Sequence, residues 1–248
     1  MPASTIDEVI ERLDGVIERA RRDSSRRGYF PALYRKVTVA VKEGIRVGTF
    51  EDGERMERLD VVFANRYLEA LAMLERGEPP THSWEVSFRA ARSWQPIVLQ
   101  HLLLGMNAHI NLDLGIAAAR TAPGAELAGL RNDFNTINDV LARLVNGVKE
   151  ELTAVWPKLR LLDRLAGEAE DTIVNFSIAK ARDHAWELAS KLAPLRPEDQ
   201  AAEIAATDRR VAVLGRLIWK PGPVARITTA LVRLGERGTV PEIIDLLL

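Results

Sequence analysis

The chain contains no cysteine. That excludes disulfides, thiolate metal sites and cysteine nucleophiles, but leaves the compartment open, since a chain without thiols survives either redox environment. Histidine is almost as scarce: His82, His101, His109 and His184 are the four in 248 residues, so any imidazole chemistry has few carriers. Neither sign of charge prevails. With 34 basic and 35 acidic residues the net charge is -1, and nothing in bulk electrostatics implies a nucleic-acid or acidic-lipid partner.

Familiar chemical motifs are missing as well. There is no Gly-x-Gly-x-x-Gly, no phosphate loop ending in Gly-Lys-Ser/Thr and no Gly-x-Ser-x-Gly elbow. His-Glu-x-x-His and Glu-x-x-His are both absent, which removes the common zinc-protease and di-iron carboxylate patterns. The N-terminus is charged and helical in pattern, with no basic segment leading into an apolar one. No secretory signal is therefore expected, and the cytoplasm is the default compartment for a soluble chain of this kind.

What is present is helical periodicity from end to end, with no convincing alternation of period two. Thr5 and Glu8 open a first helix as a capping box, Asp52 caps a third, and Gly77-Glu78-Pro79-Pro80 is a clear break. Apolar residues three and four apart mark a long helix over 125–153, and another over 171–192. Loops are short and no linker stands out. The expected fold is all-α, one domain over residues 1–248, with bundle-like helices around a buried central helix.

That central helix is the unusual element. Residues 93 to 112 hold no Asp, Glu, Lys or Arg over 20 positions, which is transmembrane length. The same stretch carries Gln95, Gln100, His101, Asn107, His109 and Asn111, and burying each in lipid without a partner costs several kcal/mol, roughly. A helix enclosed by other helices is the better reading, so no transmembrane segment is expected.

At about 100° per residue, His101, Gly105, His109 and Asp113 descend one side of this helix. His109 and Asp113, at i and i+4, are near enough to share a metal or a hydrogen bond. Gly105 costs about 1 kcal/mol relative to alanine, so something approaches closely there, either a ligand or a crossing helix. Asn107 lies on a second polar stripe and is expected to tie a neighbouring element through its amide. His184 falls on the inward stripe of its helix, while Asp133 and Asn138 flank the seam of the long one. Trp84, Phe88, Trp94 and Trp186 read as core.

The string from His101 to Leu114, His-Leu-Leu-Leu-Gly-Met-Asn-Ala-His-Ile-Asn-Leu-Asp-Leu, resembles the signature helix of an uncharacterised all-helical domain family of bacteria and fungi. Trp84 with Phe88, Asn132-Asp133-Phe134, and Arg182 with Ala185-Trp186 are similar to its accompanying pattern. The resemblance implies a recurrent helical fold organised around this helix. It implies no substrate.

Two functional readings compete. In the first, a metal-dependent enzyme acts on a small, partly apolar molecule, with zinc, iron or manganese held by His109 and Asp113. His101 and His184 would serve as further ligands or proton carriers, and Asp133 as another ligand. Hydrolysis by a metal-bound hydroxide and non-haem iron chemistry both suit such a nitrogen and oxygen set. In the second, a non-enzymatic bundle binds an apolar ligand or a partner, and the His, Asp and Asn groups form a structural polar network with Asn107, Asn138 and Arg182. A homo-oligomer is compatible with either, and a nucleic-acid partner with neither.

Overall fold

A computed structural model describes residues 1–137, 147, 152, 156 and 177–248 of the chain. Among the described residues there is no strand. The helices are α1 (Ile6–Arg22), α2 (Tyr29–Arg46), α3 (Gly53–Glu75), α4 (His82–Ala90) and α5 (Val98–Thr121), then α6 over 127–137. They continue with α7 (Ile178–Leu192), α8 (Ala201–Trp219), α9 (Pro223–Arg233) and α10 (Val240–Leu247). Asn138, most of the helix expected over 125–153, and the start of the one expected from 171 lie outside the described residues.

Local chemistry sets the helix ends. Thr5 Oγ1 accepts the Glu8 N–H, Asp52 the Arg55 N–H, and Thr239 and Glu242 form a reciprocal capping box at α10. Two caps come from distant elements. Asp208 of α8 accepts the backbone N–H groups of His82 and Ser83 at 2.7 and 2.9 Å, which pins the start of α4. Asp133 of α6 accepts those of Glu51 and Asp52 just before α3. Helix N-termini favour such carboxylates because orphan N–H groups and the helix dipole both point at them.

Helix α5 runs through the centre, flanked by α2, α3, α4, α7 and α8. From Val98 to Ala119 every residue is buried except the half-buried Leu99. By length and composition α5 could cross a membrane, yet its whole apolar window is buried by other helices. The neighbours come close where α5 has no side chain. A Cβ on Gly105 would lie 2.4 Å from the Phe30 ring of α2, and one on Gly115 would lie 2.6 Å from the Ala185 carbonyl of α7. The close approach expected at Gly105 is therefore a crossing helix.

The amides of α5 anchor α8. Gln100 Nε2 donates to the Ile218 carbonyl at 2.7 Å, and Asn107 Nδ2 to the Val211 carbonyl at 2.9 Å. Each is buried, so each bond also avoids an unsatisfied polar group that would cost about 1–3 kcal/mol.

Candidate functional site

In the middle of α5 the backbone widens into one π-helical turn, His109–Asp113. Such turns are rare and recur at functional sites. Here the turn carries all three of His109, Asn111 and Asp113, and it sends them to two different sides of the helix.

On one side, Asp113 is fully buried with both oxygens occupied. Oδ1 accepts from Arg66 Nε of α3 at 3.1 Å, and Oδ2 accepts from Trp84 Nε1 of α4 at 2.8 Å. His109 Nδ1 lies 3.3 Å from the same Oδ2. A carboxylate can only accept, so the shared proton sits on Nδ1 and leaves Nε2 as the bare acceptor. The imidazole stacks on Phe63, centroids 3.6 Å apart, with Tyr34 edge-on at 4.5 Å. Burial lowers the His109 pKa, against the opposing pull of Asp113, so the ring is neutral.

The neutral imidazole borders a pocket among α2, α3 and α5. Its walls are apolar, with Leu33, Met56, Leu59 and Met106 among them, and its rim residues Val37, Phe63, Ile137 and Ile178 are partly exposed. The enclosed volume is about 60 Å³. Four polar side chains interrupt this lining: Tyr34, Asp60, His109 and Arg182. Among the described residues, His109 Nε2, Asp60 Oδ2 and Arg182 Nε are buried with no hydrogen-bond partner. The Tyr34 hydroxyl is also buried, beside the Thr38 side chain.

Each of these groups is electrostatically stressed. Burial, with Glu57 nearby, pushes the Asp60 carboxyl up to about 7. Burial lowers the Arg182 guanidinium to about 9, against the opposing pull of Asp183. Arg182 Nη2 donates to the Phe134 carbonyl and its guanidinium lies 4.2 Å from the Phe134 ring centre, and among the described residues it is paired with no carboxylate. Orphaned buried polar atoms cost about 1–3 kcal/mol each, so several on one wall call for a compensating role.

On the other side of the π turn, Asn111 Nδ2 donates to Asn107 Oδ1 at 3.1 Å, and Asn111 Oδ1 lies 3.4 Å from His184 Nδ1. This chain of groups ends in a polar groove of about 360 Å³ between α7 and α8.

Several sequence expectations need correction. His184 does not point inward. It is exposed at the groove rim, because the buried seam of α7 is Ala181, Arg182, Ala185, Leu188, Ala189 and Leu192. His101 does not share the wall of His109. Eight residues separate them, about 80° of rotation and 12 Å of rise, so His101 instead borders a smaller cavity with Arg26, Tyr67 and Trp84. Its ring stands edge-on to Tyr29, and burial lowers its pKa to about 3. Asp133 is held at 2.9 Å by Arg55 in addition to its two backbone donors. Arg182, expected in a polar network with the His and Asp groups, lies on the pocket wall, and the cation that meets Asp113 is Arg66. His82 is the first residue of α4.

Of the expected metal ligands His109, Asp113, His101, His184 and Asp133, His109 and Asp113 come together and the other three lie apart from them. Among the described residues no group of three or more His, Asp and Glu side chains is arranged to hold a metal ion. Asp113 has no oxygen lacking a protein donor.

Sequence reasoning singled out neither Arg66 nor Asp60, nor Tyr34 or Phe63 as neighbours of His109. One signal was available for Arg66: a lone acid in an uncharged helix must meet a cation when buried.

Comparison with known proteins gives no match among curated proteins and none among solved structures. A family model does match, over residues 6–221, and the chain accordingly belongs to the family of unknown function DUF5995.

Proposed function

We propose that the protein binds a small, largely apolar molecule with one polar end, in the pocket beside His109. The observation that carries this reading is the pocket wall: apolar throughout except for side chains that hold buried polar atoms without partners. A ligand group bonded to His109 Nε2 or Arg182 Nε removes a desolvation cost that these buried atoms otherwise bear. The apolar remainder of the ligand lies along Leu33, Met56 and Leu59.

Size limits the ligand. An enclosed volume of about 60 Å³ is well below the roughly 150 Å³ that admits benzene, so only a narrow end fits inside. The rest of the molecule extends past the partly exposed rim. The Asp113–His109 pair also has the geometry of an oriented base, in which a carboxylate fixes the tautomer and leaves Nε2 for a ligand proton. That supports proton transfer to His109 as a second reading for a ligand bearing an acidic hydrogen.

Thermal shift with primary alcohols of increasing chain length, their methyl ethers and the matching carboxylates tests the proposal. Alcohols or carboxylates should raise the melting temperature more than the ethers, with the gain growing along the chain. His109→Phe should remove the advantage of the alcohols, and Arg182→Met that of the carboxylates. Equal shifts for all three series, or none, would overturn the reading.

A further inference from the structure

Helix α9 is turned inside out. Its larger side chains, Val224, Ile227 and Leu231, followed by Leu234, recur at spacings of three and four and face outward; Ile227 is 65% exposed and Leu234 69%. Its inward residues are the smaller Ala225, Thr229 and Val232. A helix of a soluble domain normally does the reverse. The last turns of α8, joined to α9 through Pro221-Gly222, continue the pattern with Val213 and Leu217, both half exposed. Single exposed apolar residues are ordinary, whereas five in two consecutive helices and a sixth just after them mark a contact surface.

Charge indicates what covers it. From residue 209 to 235 the chain has six basic residues and no acidic one, although the protein as a whole is balanced. Arg209, Arg216, Lys220 and Arg226 are exposed among or beside the apolar residues, and Arg237 follows. The acids that flank this stretch in sequence do not offset them. Glu236 is paired with Arg233, its side chain fully buried, and Asp208 is consumed in capping α4. A second copy of the chain meeting this face across a two-fold axis would set basic residues against basic residues. Exposed apolar side chains flanked by long basic ones are what lies well at the boundary of an anionic bilayer.

We infer that α9, with the end of α8, docks the protein on an anionic lipid bilayer. The apolar row enters the headgroup boundary while Arg216, Lys220 and Arg226 meet lipid phosphates. This surface is separate from the pocket beside His109, and neither reading depends on the other.

Sedimentation of the full chain with phosphatidylcholine vesicles, with and without phosphatidylglycerol, tests the inference. Binding is expected only with phosphatidylglycerol, and it should weaken as salt rises. Neutralising Lys220→Gln and Arg226→Gln should reduce the partition coefficient by about fivefold per residue. Ile227→Glu with Leu231→Glu should abolish binding and leave the helical circular dichroism and melting temperature intact, since both side chains are exposed. No sedimentation with phosphatidylglycerol at low salt would overturn the inference. So would a concentration-dependent dimer in light scattering that the Ile227→Glu, Leu231→Glu variant dissolves, because the face would then belong to a second copy.

Discussion

Trp84 and Asp113 are joined by a 2.8 Å hydrogen bond from the indole Nε1 to a carboxylate that solvent does not reach. With Arg66 on the other oxygen, this bond links α3, α4 and α5 through one charged group. A buried carboxylate is tolerable only while its donors stay in place, so the network should be intolerant of single changes. Asp113→Asn and Arg66→Met should each cost roughly 3–5 kcal/mol in urea unfolding, because each leaves a buried partner uncompensated. The double variant should cost less than the sum of the two. Additive losses would show that Arg66 and Asp113 do not act as a pair.

Gly105→Ala separates packing from helix propensity. Alanine would favour the helix by about 1 kcal/mol, but its methyl would collide with the Phe30 ring. The net effect should be destabilising by roughly 1–3 kcal/mol. Phe30→Leu in the same chain should recover part of that loss. A more stable Gly105→Ala single variant would mean that α2 does not cross so near.

These relationships show where the sequence was informative. The enclosure of α5 followed from 20 uncharged positions in a chain with no other sign of a membrane segment, and the i, i+4 spacing placed His109 beside Asp113. What the spacing could not supply was the partner across helices. Arg66 is one of 34 basic residues, and nothing local distinguishes it. Trp84 was visible as core, while its indole N–H, which needs an acceptor when buried, is easily overlooked in an apolar pattern. His184 was misplaced because a shift of one residue in the seam of α7 puts Arg182 inside and the histidine out. The apolar face of α9 was equally legible as amphipathic, but only the fold shows that it turns away from the core.

Two buried groups should pull stability in opposite directions with pH. The unfolded His101 imidazole takes a proton near 6.5, while the folded one resists until about 3. Across that window the unfolded state binds more protons, so stability is lost as pH falls. His101→Phe keeps an aromatic edge against Tyr29 and has no proton to gain. It should therefore be more stable than wild type by about 2 kcal/mol at pH 5, relative to their difference at pH 7.5. Asp60 has the opposite sign: its folded pKa of about 7 lies above the unfolded 3.8, so stability falls as pH rises between them. Asp60→Asn should flatten that decline. Parallel pH profiles for wild type and either variant would contradict the burial assigned to these groups.

His109→Ala bears on both readings of the site. The imidazole fills space against Phe63 and Tyr34, and it contributes to the environment of Asp113. Alanine is the best helix former, so α5 itself should persist. The loss should be about 2–4 kcal/mol, read as a lower melting temperature with unchanged helical content. Asp113 keeps Arg66 and Trp84 in the variant, so the carboxylate is not stranded. If the group is a structural dyad beside a ligand pocket, elemental analysis should give the same metal content for wild type and variant. Stoichiometric zinc, iron or manganese in wild type, absent from His109→Ala, would instead make this histidine a metal ligand. The arrangement around Asp113 would then have to open by releasing Arg66 or Trp84, and the pocket reading would fall with it.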